Sequence, residues 1–170
     1  MKKLILIFAA IVMVAGFSAN VMAQTETNTV GAKILTAMTI QETAPMHFGT
    51  MTVPTTLATV VLATDGSVSV GSGTITLLAQ APTSTAAAYD ITGDFNATYA
   101  ITIDASTTIT NGTPAEDMTV DNFVCSYAGL TSTLSAGGLD AFTVGATLNL
   151  ANAQPAGTYA GTFDVTVAYN

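Results

Sequence analysis

The chain has 170 residues, 49% of them hydrophobic, with three basic side chains against 11 acidic ones and no Arg. Two of the three cations are Lys2 and Lys3, so residues 24–170 hold Lys33 alone against all 11 acids, a net charge of −10. Such a surface repels phosphate backbones and has no guanidinium fork to grip them, which excludes nucleic-acid binding.

Lys2 and Lys3 open a basic start, Leu4 to Phe17 is a continuous apolar run of 14 residues, and Val21-Met22-Ala23 places small residues where a signal peptidase reads. This pattern predicts a secretory signal peptide over residues 1–23, with cleavage between Ala23 and Gln24. The run is shorter than the roughly 20 residues that span a bilayer, and no similar run follows, so no transmembrane segment is expected in the mature chain. The expected destination is extracellular or the cell surface, by way of the periplasm.

Beyond residue 23 the chain carries 31 Thr and 23 Ala, and Gly, Asn, Asp and Ser punctuate its apolar runs. Thr, Val, Ile, Tyr and Phe suit strands and the punctuating residues suit turns, so the predicted class is all-β. Val30 to Ile40 alternates with period two. His47 to Met51 is a short extended piece, and Leu57 to Ala63 and Ser67 to Val70 flank Asp65-Gly66, a hairpin signal. Thr74 to Ala79, Ala88 to Thr92, Tyr99 to Asp104, Met118 to Tyr127, Leu130 to Leu134 and Phe142 to Leu150 follow. The last run, Tyr159 to Tyr169, puts Tyr159, Gly161, Phe163, Val165, Val167 and Tyr169 on one face, and 11 residues would reach roughly 37 Å as one strand. Many short strands with turns between them predict an immunoglobulin-like Greek-key β-sandwich over residues 37–170. Its one cysteine, Cys125, allows no intrachain disulfide; between Phe123 and Tyr127 it is expected to be buried and inert.

Catalysis has little to work with. The mature chain offers one His, one Cys and one Lys, whereas acid–base or nucleophilic chemistry needs such groups in mutual support. No enzyme activity, cofactor or metal is expected. His47 has no acid or nucleophile beside it in sequence, one His and one Cys do not complete a zinc site, and the scattered Asp residues do not fit the twelve-residue calcium loop.

The ending from Pro155 to Asn170 resembles those of pilin subunits assembled by the chaperone–usher pathway, with Gly157 fourteen residues from the C-terminus and Tyr169 penultimate. Phe48-Gly49-Thr50, Val144-Gly145-Ala146-Thr147-Leu148 and the same ending also resemble a pilin-related family of secreted bacterial domains of unknown function. The paired cysteines of the commonest pilins are missing. The resemblance implies an immunoglobulin-like sandwich lacking one strand, whose open groove is filled by the N-terminal extension of the next subunit in a head-to-tail filament, with a periplasmic chaperone and an outer-membrane usher as further partners. It implies that Gly157, Tyr159, Phe163, Val165, Val167 and Tyr169 form the strand at the groove edge that the chaperone contacts. Residues 24–36 would then be the donor strand, with Val30, Ala32 and Ile34 as pocket-filling side chains. The same alternation suits a first strand kept within its own domain. Two functions stand open: a structural filament subunit, or a self-contained binding module such as a glycan-binding adhesin, with Tyr89, Tyr99 and Tyr127 as candidates to stack on sugar.

Overall fold

Period-two runs rich in Thr, Val and Ala set the architecture, which a computed structural model describes over residues 23–170. Residues 1–22 of the expected signal peptide lie outside the described residues. The chain divides between Lys33 and Ile34 into two units. In the first, the described residues 23–33 are exposed and belong to no strand.

The second unit is all-β. Its strands are β1 (Thr39–Ala44), β2 (His47–Phe48), β3 (Thr50–Met51), β4 (Ala58–Leu62), β5 (Val68–Ser72), β6 (Leu77–Leu78) and β7 (Ser84–Thr85), then β8 (Ala87–Thr92), β9 (Thr98–Ile103), β10 (Ser106–Ile109), β11 (Met118–Cys125), β12 (Thr131–Thr133), β13 (Leu139–Leu150) and β14 (Val165–Tyr169). All ladders are antiparallel. The main sheet runs β1-β8-β13-β11-β10, a smaller one runs β12-β9-β14, and the short strands form the pairs β2-β7 and β3-β6.

β13 organises the main sheet. Its first half, Leu139 to Val144, pairs with β8, and its second half, Ala146 to Leu150, pairs along the same edge with β4, while β11 takes the opposite edge. Gly145 sits at the changeover, where a Cβ would come within 2.2 Å of the Leu62 carbonyl oxygen. Only glycine lets the two backbones approach so closely. β4 turns into β5 through the Asp65-Gly66 hairpin expected from sequence: Gly66 has φ of +83°, and the Asp65 carboxylate accepts from the Ser67 N–H and hydroxyl.

Two apolar clusters fill the interior. One joins Val60, Leu62, Met118, Val120, Leu148 and Leu150 of the main sheet with Phe48. The other presses Tyr89, Ile91, Phe142 and Val144 of the main sheet against Tyr99 and Ile101 of the smaller one, so the two sheets face each other across it.

Several sequence expectations change. The Tyr159 to Tyr169 run is not one ladder: only β14 pairs with β9, and upstream Ala160 makes a single bridge to Thr110 of the 110–113 turn. The run crosses from one sheet to the other, and no partner strand follows it across. Its alternation nevertheless survives, with Tyr159, Phe163, Val165, Val167 and Tyr169 half-buried and the residues between them exposed. The face borders the core rather than lying at its centre. Of Val30 to Ile40, only Thr39 and Ile40 enter β1. β10 was not anticipated, and Thr74 to Ala79 contributes only β6. Cys125 is half-buried, and its sulfur accepts from the Tyr127 N–H at 3.5 Å.

Candidate functional site: a groove between two strand edges

β1 and the C-terminal run share no ladder. Between them lies a groove of about 1110 Å³, walled on one side by β1 to β3 and on the other by residues 154–165. Ile109, Met118, Val120, Leu148 and Leu150 form its floor. These floor residues, apart from Ile109, are buried members of the first core cluster. The groove therefore opens directly onto the hydrophobic interior.

The C-terminal wall is held from behind. Ala160 exchanges both main-chain hydrogen bonds with Thr110, at 2.9 and 3.0 Å, the Thr107 hydroxyl donates to the Thr162 carbonyl, and the Asp164 N–H donates to the Asp104 carboxylate at 2.9 Å. In an extended chain successive residues aim their N–H and C=O groups to opposite sides. With Ala160, Thr162 and Asp164 turned toward β10 and its flanks, Tyr159, Gly161 and Phe163 aim theirs toward the groove. Gly161 is required here, because a Cβ would stand 2.4 Å from the Thr108 carbonyl oxygen. On the opposite wall β1 is the end strand of its sheet, so its second edge also faces outward.

Both ends of the wall are locked. At one end Gln154, buried, accepts from the Ala151 N–H at 3.2 Å and donates to the Glu116 carbonyl and, at 3.1 Å, to the Tyr159 hydroxyl; Asn111 donates to the Glu116 carboxylate at 2.6 Å. At the other end the Tyr169 hydroxyl accepts from the Asp94 N–H at 2.6 Å and donates to the Thr36 carbonyl at 2.7 Å. Phe163 stacks on Phe123 with ring centroids 4.7 Å apart. Tyr159, Phe163 and Val165 thus line the groove, while Val167 and Tyr169 continue onto β9. Gly157 lies at the Gln154 end; its φ is not in the left-handed region, and an added Cβ would meet only ordinary contacts, the nearest Asn111 at 3.5 Å.

Val30 is 98% exposed and Ile34 92% exposed, and Ala32 between them is exposed too, so the three donor-strand candidates leave their apolar side chains in solvent. His47 is exposed on the groove wall, its Nδ1 accepting from the Gly49 N–H at 2.8 Å, a turn-closing role.

The tyrosines considered for sugar stacking are not displayed. Tyr89 and Tyr99 are buried, Tyr99 completely, because both lie on core-facing positions of their strands. Tyr99 and Tyr127 instead donate to the Asp140 carboxylate at 2.9 and 2.6 Å, joined by the Ser132 hydroxyl at 2.7 Å. Burial raises the Tyr99 phenol well above its ordinary value, with Asp140 adding to the shift, and Asp140 is the main cause of the rise at Tyr127. Sequence reading missed this cluster, since its members come from four separate stretches. Among the described residues no group of three or more His, Cys, Asp or Glu is placed to hold a metal ion, and no helix is long and apolar enough to cross a membrane.

A family model described as a domain of unknown function (DUF4402) matches residues 38–169. The chain belongs to this family. The matched span begins one residue before β1 and ends in β14, so both walls of the groove belong to the DUF4402 domain, and residues 24–36 lie outside it. No curated protein and no solved structure matches the chain.

Proposed function

We propose that this protein is a structural subunit of a bacterial surface filament, exported through the periplasm and assembled by donor-strand exchange. The carrying observation is the apolar groove bounded by two outward-facing strand edges. A strand laid into it would complete backbone ladders on both sides and set alternate side chains onto Met118, Val120 and Leu148. Residues 24–36 supply a strand of that kind, with Val30, Ala32 and Ile34 at period two. On this reading the DUF4402 domain is an immunoglobulin-like Greek-key sandwich lacking one strand, related to chaperone–usher pilins, and the groove is covered by a chaperone before assembly. A head-to-tail contact that does not close on itself propagates into a filament.

The test compares the mature protein with a form lacking residues 24–35, which spares the Thr36 carbonyl on Tyr169. Groove closure by a full ladder is kinetically stable. The intact protein should give polymers that survive on unheated detergent gels, collapse to monomer on boiling and appear as filaments by electron microscopy; the truncated form should remain monomeric and bind a synthetic peptide of residues 24–36. A concentration-independent monomer from the intact protein would refute the proposal, and a self-contained binding module would then lead.

A further inference from the structure

Two small apolar surfaces stand at opposite ends of the DUF4402 domain. At the Tyr169 end, the 93–97 loop and the 135–138 turn are tied by Gly93 N–H to Gly138 carbonyl at 2.9 Å and Asn96 N–H to Ser135 carbonyl at 3.1 Å. That end presents Phe95, 64% exposed, and Leu139, also exposed. At the Gly157 end, Leu57, 74% exposed, and the exposed Val53 flank Pro54, whose carbonyl accepts from Ala153 N–H at 3.0 Å. Leu139 and Leu150 terminate β13, and Leu150 pairs with Ala58 beside Leu57, so the two surfaces are separated by the length of that 12-residue strand, roughly 36 Å.

We propose that the Phe95–Leu139 surface of one copy seats on the Val53–Leu57 surface of the next, as a second contact beside the donated strand. This rests on the filament reading above. The C-terminal wall runs from Gly157, near Asn111, to Tyr169, paired with Tyr99. β1 runs away from the Tyr169 end and the C-terminal wall runs toward it, so a donor strand between them is antiparallel to one and parallel to the other; paired antiparallel with the C-terminal wall, as β9 is, it has its last residues at the acceptor's Gly157 end, where Val53 and Leu57 lie. In the donor's own domain the chain is held at the opposite end, by the Thr36 carbonyl on Tyr169, whose hydroxyl also binds the Asp94 N–H next to Phe95. Only Leu35 separates Ile34 from Thr36, so the donor's Phe95 end is drawn against the acceptor's Val53–Leu57 end. Burying the two surfaces against each other removes apolar area that a lone copy leaves in water.

The mature protein carrying Cys125→Ser, Phe95→Cys and Leu57→Cys should polymerise and, after treatment with a short bis-maleimide, give a ladder of dimers, trimers and higher species on boiled gels, whereas either new cysteine alone gives no ladder beyond dimer. Phe95→Asp should shorten the filaments severalfold by electron microscopy and lower the temperature at which they dissociate. Polymers that collapse on boiling as before, yield no ladder from the double-cysteine protein and are unaffected by Phe95→Asp would overturn the end-to-end contact and leave the donor strand standing. Failure of the intact protein to polymerise at all would overturn both.

Discussion

The Tyr169 hydroxyl donates to the Thr36 carbonyl across 133 positions of sequence, at 2.7 Å, while accepting from the Asp94 N–H. One phenol thereby ties Thr36, ahead of β1, to the 93–97 loop. Tyr169→Phe keeps the ring packed against the second core cluster and removes both bonds. It should cost about 1–2 kcal/mol in urea unfolding and accelerate exchange of the Asp94 amide; an unchanged Asp94 amide would show that the phenol does not hold this junction.

Phe163 anchors the groove wall through its stack on Phe123. Because the ring is half-buried, Phe163→Ala should destabilise by about 3 kcal/mol, the low end for removal of a phenylalanine. A double-mutant cycle with Phe123→Ala should yield a coupling of about 1 kcal/mol. A midpoint unmoved by the replacement would place the side chain in solvent.

Much of this fold was legible because period-two patterning reports burial directly. The hairpin at Asp65-Gly66, β8 and β9 formed where alternation and turn residues placed them, and Phe163, Val165 and Val167 share the face assigned to them. Patterning does not report partners. Tyr159 to Asp164 alternates like any strand, yet the wall lacks a second neighbour, and this unpaired edge is what makes the groove. Residues 30–38 alternate equally well and form no ladder. β10 escaped notice because Ser106-Thr107-Thr108-Ile109 holds a single strongly apolar residue. Tyr89 and Tyr99 could be taken for surface aromatics because sequence does not disclose which face of a strand meets the opposing sheet.

Asp140 gathers the hydroxyls of Tyr99, Tyr127 and Ser132. Burial alone would raise its carboxyl, but the bonds from Tyr127, Ser132, the Ala141 N–H and Tyr99 outweigh that and hold it below the ordinary carboxylate value. A depressed folded value means the carboxylate contributes stability above the unfolded pKa, about 3.9, and that this contribution fades as pH falls through the folded value. Asp140→Asn should therefore be less stable than wild type near neutrality, and the gap should narrow steadily on acidification below about pH 4. A gap independent of pH would mean that the charge contributes nothing.

Gly145 admits no side chain without moving backbone, since its Cβ would lie 2.2 Å from the Leu62 oxygen and 2.9 Å from the Ala63 carbonyl carbon. Gly145→Ala should cost at least about 2 kcal/mol, whereas Gly157→Ala, which meets only ordinary contacts, should change the unfolding midpoint little. Equal effects at the two sites would contradict this geometry.

Salt offers a check on assembly. On the proposed assembly, a copy without residues 1–23 carries −10, so copies repel one another before any apolar contact forms. Raising ionic strength from about 0.01 to 0.15 M shortens the screening length from about 30 to 8 Å and should speed polymerisation. Slower growth at the higher salt would indicate that ionic attraction drives assembly.

Among the described residues β13 alone is bonded to β8, β4 and β11 together, and the groove floor includes Leu148 and Leu150 from its second half. The edge strands β1, β5 and β10 can fray with every ladder of β13 intact, but loss of β13 takes a ladder from β8, β4 and β11 at once. Amides at its centre should exchange only when the whole domain opens, and a force applied through the groove would be shared among three ladders before any single one gives way.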